Sequence, residues 1–130
     1  MKILPFILLS ICGLSACSIS QTQQKNTVQK QCKVDENIQR HAIPATPNNM
    51  SLPAFGQGVI GWATGEEGAK QRLQSVEKQD IASFKKQGVT LVMLQEWQTF
   101  YENEQKRNPC NPTAAYRAQL MQKIVMLWTE

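Results

Sequence analysis

The sequence predicts an all-α protein, a small bundle of about four short helices behind a flexible N-terminal tether. Three observations carry this expectation. Met93, Trp97, Phe100 and Tyr101 fall at i, i+4, i+7 and i+8, a continuous apolar stripe at helical period. Residues that start and stop helices punctuate the chain at short intervals beyond Ala63. No segment shows the sustained alternation of period two that a half-buried strand requires. A length of 130 residues suffices for one modest domain.

The first element is a removable one. "MKILPFILLSICGLSACS" opens with one basic residue, Lys2, and continues as an apolar run from Ile3 to Leu14. Spanning a bilayer takes roughly 20 apolar residues, so the run is too short for a transmembrane helix and has the order of a secretory signal peptide. Leu14-Ser15-Ala16-Cys17 resembles the lipobox of bacterial lipoproteins: an aliphatic residue, two small residues, then the cysteine that becomes the mature N-terminus. The resemblance implies loss of residues 1–16, diacylglycerol on the Cys17 thiol and an acyl group such as palmitate on the new amine. Ser18 stands where that family's inner-membrane retention signal would be Asp, so the implied address is the outer membrane, with the domain facing the periplasm. Several acyl groups, at about 0.8 kcal/mol per buried CH₂, make such an anchor stable.

Residues 17–53 read as the anchor and its tether. Gln21, Gln23, Gln24, Gln29, Gln31 and Gln39 dominate, followed by Pro44, Pro47, Asn48, Asn49 and Pro53. Such a stretch has too little apolar surface to offset the entropy of ordering it; a short helix around Val34 to Arg40 is the one ordered element it could hold. The full sequence has a formal charge of +4, and without Lys2 13 basic residues face 10 acidic ones, a net of +3. The surplus is not gathered on residues 54–130, so a nucleic-acid partner is not expected. Cys12 leaves with the signal and Cys17 takes the lipid, leaving Cys32 and Cys110. In an exported protein two remaining thiols most simply pair, the alternatives being an intermolecular bridge or a reactive thiol.

Residues 54–130 form the expected helical domain. Thr64 and Glu67 fit a capping box that opens a helix running to around Gln74. Ser75 is the expected cap of the next, with Ile81 and Phe84 on one face and Gly88 just past its end. Thr90 caps a third, flanked by Val89 and Leu94 as a hydrophobic staple. "NPCNP" stops that helix near residue 107, because Pro109 and Pro112 cannot continue it from within. Asn111 then caps a last helix with Pro112 at its first position. Ala114, Ala118, Met121, Val125 and Trp128 share its face, widened by Leu120, Ile124 and Leu127.

The stretch "PAFGQGVIGWATGEEGAK" contains Gly56-x-Gly58-x-x-Gly61, the spacing of a dinucleotide pyrophosphate loop. Such a loop requires a preceding strand and a following helix within a βαβ unit. Here a Pro/Asn-rich tether precedes it, and Glu66 and Glu67 occupy the first turn where an anion would sit. We therefore read it as a tight entrance that folds Phe55, Val59, Ile60 and Trp62 into the core, with no cofactor. "GQGVIGWATGEEGAKQRL" and "GVTLVMLQEWQTFYENEQKRNPCNPTAAYRAQLMQKIVMLW" resemble a small uncharacterised helical domain of gram-negative lipoproteins. The resemblance implies a compact helical domain on a lipidated tether and no particular chemistry.

The residues that carry chemistry are few. His41 is the single histidine, and zinc wants three or four clustered His, Cys or carboxylate ligands, so no metal site is expected. Glu96, Glu102 and Glu104 fall on different helix faces and read as solvated surface, not as a catalytic pair. Trp62, Trp97 and Trp128 sit at helical spacings that favour core over a sugar platform. Tyr116 and Arg117, beside the Asn/Pro loop, are the candidate exposed recognition pair. No catalytic residue is assigned. The expectation is an outer-membrane lipoprotein, joined to the membrane through Cys17, whose helical domain binds another envelope protein or a cell-wall polymer without catalysis. The alternatives are a cell-wall enzyme using Glu96 or Glu102, and a small periplasmic inhibitor or immunity-type protein.

Overall fold

The computed structural model describes residues 33–130; the expected signal peptide, Cys17 and Cys32 lie outside the described residues. Among these residues four α-helices follow one another: α1 Gly65–Ser75, α2 Lys78–Lys86, α3 Leu91–Arg107 and α4 Pro112–Thr129. Among the described residues there is no strand. The all-α expectation holds. The last helix is the hub, packing along α3 and α1 and touching α2. Its buried Ala114, Ala118, Leu120, Met121 and Ile124 are the face read from the sequence. Lys78 Nζ donates to the Leu127 carbonyl at 2.7 Å and Lys123 Nζ to that of Leu73 at 2.9 Å, tying α2 and α1 to α4.

Local chemistry sets the ends. The Thr90 hydroxyl accepts from the Met93 amide at 3.2 Å, and buried Val89 and Leu94 complete the start of α3. Asn111 accepts from the Ala114 amide at 3.4 Å with Pro112 at the first position of α4. Two expected caps differ. Thr64 makes no side-chain cap, because Gly65, the first residue of α1, turns left-handed (φ 78°) and swings the following amides away from the hydroxyl. Glu77, not Ser75, caps α2: its amide donates to Asp80 Oδ2 at 2.9 Å, half of a reciprocal capping box.

The glycine-rich entrance is a π-helical segment, Ala54–Ile60, closed by left-handed Gly61 (φ 76°). It buries Phe55, Val59 and Ile60, and Trp62 follows them inward. Gly56 is there for space, since a Cβ at that position would overlap the Trp62 indole. Arg72 fastens the segment to the bundle, donating from Nε to the Ile60 carbonyl at 2.8 Å and pairing with Asp80 at 3.5 Å.

The described part of the tether differs most from expectation. Residues 33–53 are not free coil, and there is no helix at 34–40. Asp35 instead makes a turn, accepting the Asn37 amide on Oδ1 at 2.9 Å and the Ile38 amide on its carbonyl at 3.2 Å. The backbone then runs as a strap antiparallel to α3. The Asp35 amide donates to the Arg107 carbonyl at 2.7 Å, and Arg107 Nε to that of Ile38 at 3.1 Å. Asn103 Oδ1 accepts from the His41 amide at 3.0 Å, while its Nδ2 donates to the Gln39 carbonyl at 3.1 Å. Trp97 Nε1 reaches the Ala45 carbonyl at 3.0 Å. The strap ends in a turn at Pro47–Asn49, where Pro47 is buried.

Candidate binding pocket

Five rings form the heart of the domain. Phe55, Trp62, Trp97, Phe100 and Tyr101 stack in tilted or edge-to-face pairs, with centroids 5.3 to 5.8 Å apart. They come from the π-helical segment (Phe55), the residues just beyond it (Trp62) and the stripe of α3 (Trp97, Phe100 and Tyr101). This arrangement removes the sugar-platform idea, since Trp62 is 4% exposed and Trp97 1%. Trp128 stands apart, half-buried, with Lys85 Nζ 4.9 Å from its ring centre.

Arg117 lies on the outer side of these rings. Its guanidinium carbon is 4.8 Å from the Trp62 ring centre and 5.7 Å from that of Tyr101. Nη2 donates to the Ala63 carbonyl at 3.3 Å, and Ala63 is itself left-handed (φ 44°). Nε is buried without an acceptor. No described carboxylate pairs with this arginine. It is therefore not the freely exposed half of a recognition pair: α4 places it inward, on aromatic faces that the sequence pattern assigned only to the core. Tyr116 is likewise half-buried.

Around Arg117 opens a pocket of about 270 Å³ between the strap, α3 and the start of α4. Trp97, Phe100, Ile43 and Leu52 supply apolar wall; Arg40, Glu104, Asn111 and Thr113 supply the polar rim. Glu104 is taken twice, by Arg40 Nε at 3.1 Å and Arg107 Nη1 at 2.9 Å. Two guanidiniums thus hold this one carboxylate, and that of Arg117 has no described carboxylate of its own. The Tyr101 hydroxyl stays a neutral phenol: burial pushes its pKa up to about 12, against the lowering effect of the adjacent Arg117. The first turn of α4 adds the positive end of its dipole on the same side.

Other candidates are dispersed. His41 and Glu96 line a shallow groove of about 480 Å³ with Val92 and Phe100, whereas Glu102 borders a separate depression with Lys106 and Pro109. The two glutamates are not brought together. Cys110 is half-buried in the turn between α3 and α4, where the Asn111 amide donates to the Asn108 carbonyl at 2.9 Å. Among the described residues no group of three His, Cys, Asp or Glu could hold a metal ion, and no helix is long and apolar enough to cross a membrane. Sequence reasoning missed Arg40, Tyr101, Asn103 and Thr113 as pocket or strap residues. The one local signal was Asn111-Pro112-Thr113, which marks where a helix terminus opens.

Fold and pocket together define a small all-α domain with a cationic, ring-walled cleft. The protein belongs to the family described as a domain of unknown function, DUF4951, which matches residues 30–128. It is similar to a protein from Acinetobacter baumannii solved by NMR, 51% identical, with a TM-score of 0.64 over 78% of this sequence and 95% of that one. No curated protein matches it.

Proposed function

We propose that this protein is a lipid-anchored outer-membrane protein whose helical domain binds another component of the cell envelope and catalyses nothing. The lipobox-like Leu14-Ser15-Ala16-Cys17 supports the anchor and address. The observation that carries the binding role is the pocket beside Arg117. Arg117 lies against rings with one backbone carbonyl and the Tyr101 hydroxyl beside it but no carboxylate among the described residues, so its charge is left to be met by an external acceptor, since arginines in such surroundings are normally paired.

A Cys32–Cys110 disulfide belongs to the same proposal. The strap meets the end of α3 at the Asp35–Arg107 hydrogen bond, and Cys32 and Cys110 each lie three residues beyond that point. Cys110 is not a free group. Bridging the two cysteines would close the strap over α3 and leave only residues 18–31 between domain and membrane. The reading is tested by crosslinking in intact cells followed by capture of the lipidated protein from the outer-membrane fraction. A discrete, stoichiometric envelope adduct is expected. Recovery of the protein in the soluble fraction with no adduct would overturn it.

A further inference from the structure

We propose that the pocket at Arg117 is a carboxylate site, built for an acid group carried on a short apolar stem. The inference rests on the binding role proposed above and names the chemistry of its ligand. Two independent features set the sign of the charge. The first is Arg117, which has ring faces, the Tyr101 hydroxyl and one backbone carbonyl as neighbours but no counter-ion among the described residues. The second is the start of α4, an 18-residue helix whose Thr113 and Ala114 line the same pocket. Pro112 has no amide hydrogen, and Asn111 already accepts from Ala114. The Thr113 amide and hydroxyl are therefore the donors that the helix terminus offers to an incoming anion.

Among the described residues Glu104 is the only acid on the pocket wall, and it does not compete. Glu104 is held between Arg40 and Arg107, so its charge is spent within the fold. Tyr101, a neutral phenol on the pocket wall beside Arg117, does not repel an anion either. Arg40, half-exposed at the rim, is placed to meet an arriving negative charge.

The rest of the wall selects the stem. Ile43, Leu52, Trp97 and Phe100 present apolar surface within the same 270 Å³. A fully hydrated inorganic anion gains nothing from it, whereas a carboxylate one or two bonds from an aliphatic group satisfies both halves. The planar guanidinium fork also matches a carboxylate in geometry. A peptide C-terminus ending in an apolar residue and a fatty acid both carry this chemistry.

The test is an NMR titration of the full mature protein prepared without lipid as Cys17→Ser. The probes are N-acetyl-alanyl-leucine, its C-terminal amide, and octanoate. The free acid should shift the Thr113, Ala114 and Arg117 amides and lose affinity as salt rises, while the amide should bind at least about tenfold more weakly. Tighter binding of the peptide acid than of octanoate assigns a polypeptide's terminal carboxylate; the reverse assigns a fatty acid. Arg117→Met should weaken the acid by about tenfold or more. Should that variant unfold, Arg40→Gln at the rim provides the same reading, with a loss of roughly threefold and a shallower salt dependence. Equal binding of acid and amide, or no shift at the start of α4 with either acid, overturns the carboxylate site. That result with intact-cell adducts still present would leave the envelope-binding role standing.

Discussion

Asn103→Ala should release the strap while leaving the helical bundle folded. Asn103 is 7% exposed, the one polar side chain among the buried residues described. Its amide accepts from the His41 N–H at 3.0 Å and donates to the Gln39 carbonyl at 3.1 Å, so it copies the pairing a neighbouring strand would give. Each neutral hydrogen bond contributes about 1 kcal/mol net, so losing both costs about 2 kcal/mol. No further penalty for stranded polar groups is added, because Gln39 and His41 are exposed and water can replace the amide. For a domain of this size about 1 kcal/mol corresponds to about 4–8 °C, so the melting temperature should fall by about 8–16 °C. Circular dichroism gives that shift, and hydrogen exchange gives its location: the His41 amide should lose protection while amides inside α3 and α4 keep theirs. A melting point within about 2 °C of wild type, or a His41 amide still protected, would refute the strap account.

Gly56→Ala should cost about 1–3 kcal/mol, because the added methyl must displace the Trp62 indole, and a red shift of tryptophan emission would report that displacement. Tyr101 should resist ionisation. Its folded pKa, raised to about 12 from 10.0, makes its contribution to stability fully present below pH 10 and lost as pH rises toward 12. Ring-carbon shifts of Tyr101 followed upward from neutral pH check this, and ionisation near pH 10 in the folded protein would contradict it. Cys17→Ser should abolish labelling by a radioactive fatty acid and leave the protein soluble or unprocessed; label retained in that variant would remove the anchor.

Much of the bundle was legible because its signals are local. Thr90 and Asn111 cap the helices their sequence positions assign, and the stripe through Trp97, Phe100 and Tyr101 is the buried face of α3. The glycine-rich stretch was legible as a tight entrance to the core, since it turns at Gly61 and buries Phe55, Val59 and Ile60 with Trp62 following. The strap was not legible. Its Gln, Asn and Pro composition reads as coil, and what orders it is supplied from about 60 residues away, by Asn103, Arg107 and the indole of Trp97. Nor was the pocket. Arg117 looked like surface because helical periodicity places a side chain near a face but does not say that Trp62, arriving from the π-helical segment, lies under it.

Whether the protein acts through the Arg117 pocket is decided by site-specific photocrosslinking in living cells, from within the pocket and from outside it. Leu52 lines the pocket and is 39% exposed; Met126 is 52% exposed and lies away from it, on the outer side of α4. A photoreactive residue at position 52 should give one discrete envelope adduct that Arg117→Met weakens, and the same residue at position 126 should give none. Identical adduct patterns from the two positions, or an adduct at 126 alone, would contradict the pocket as the surface through which this protein acts.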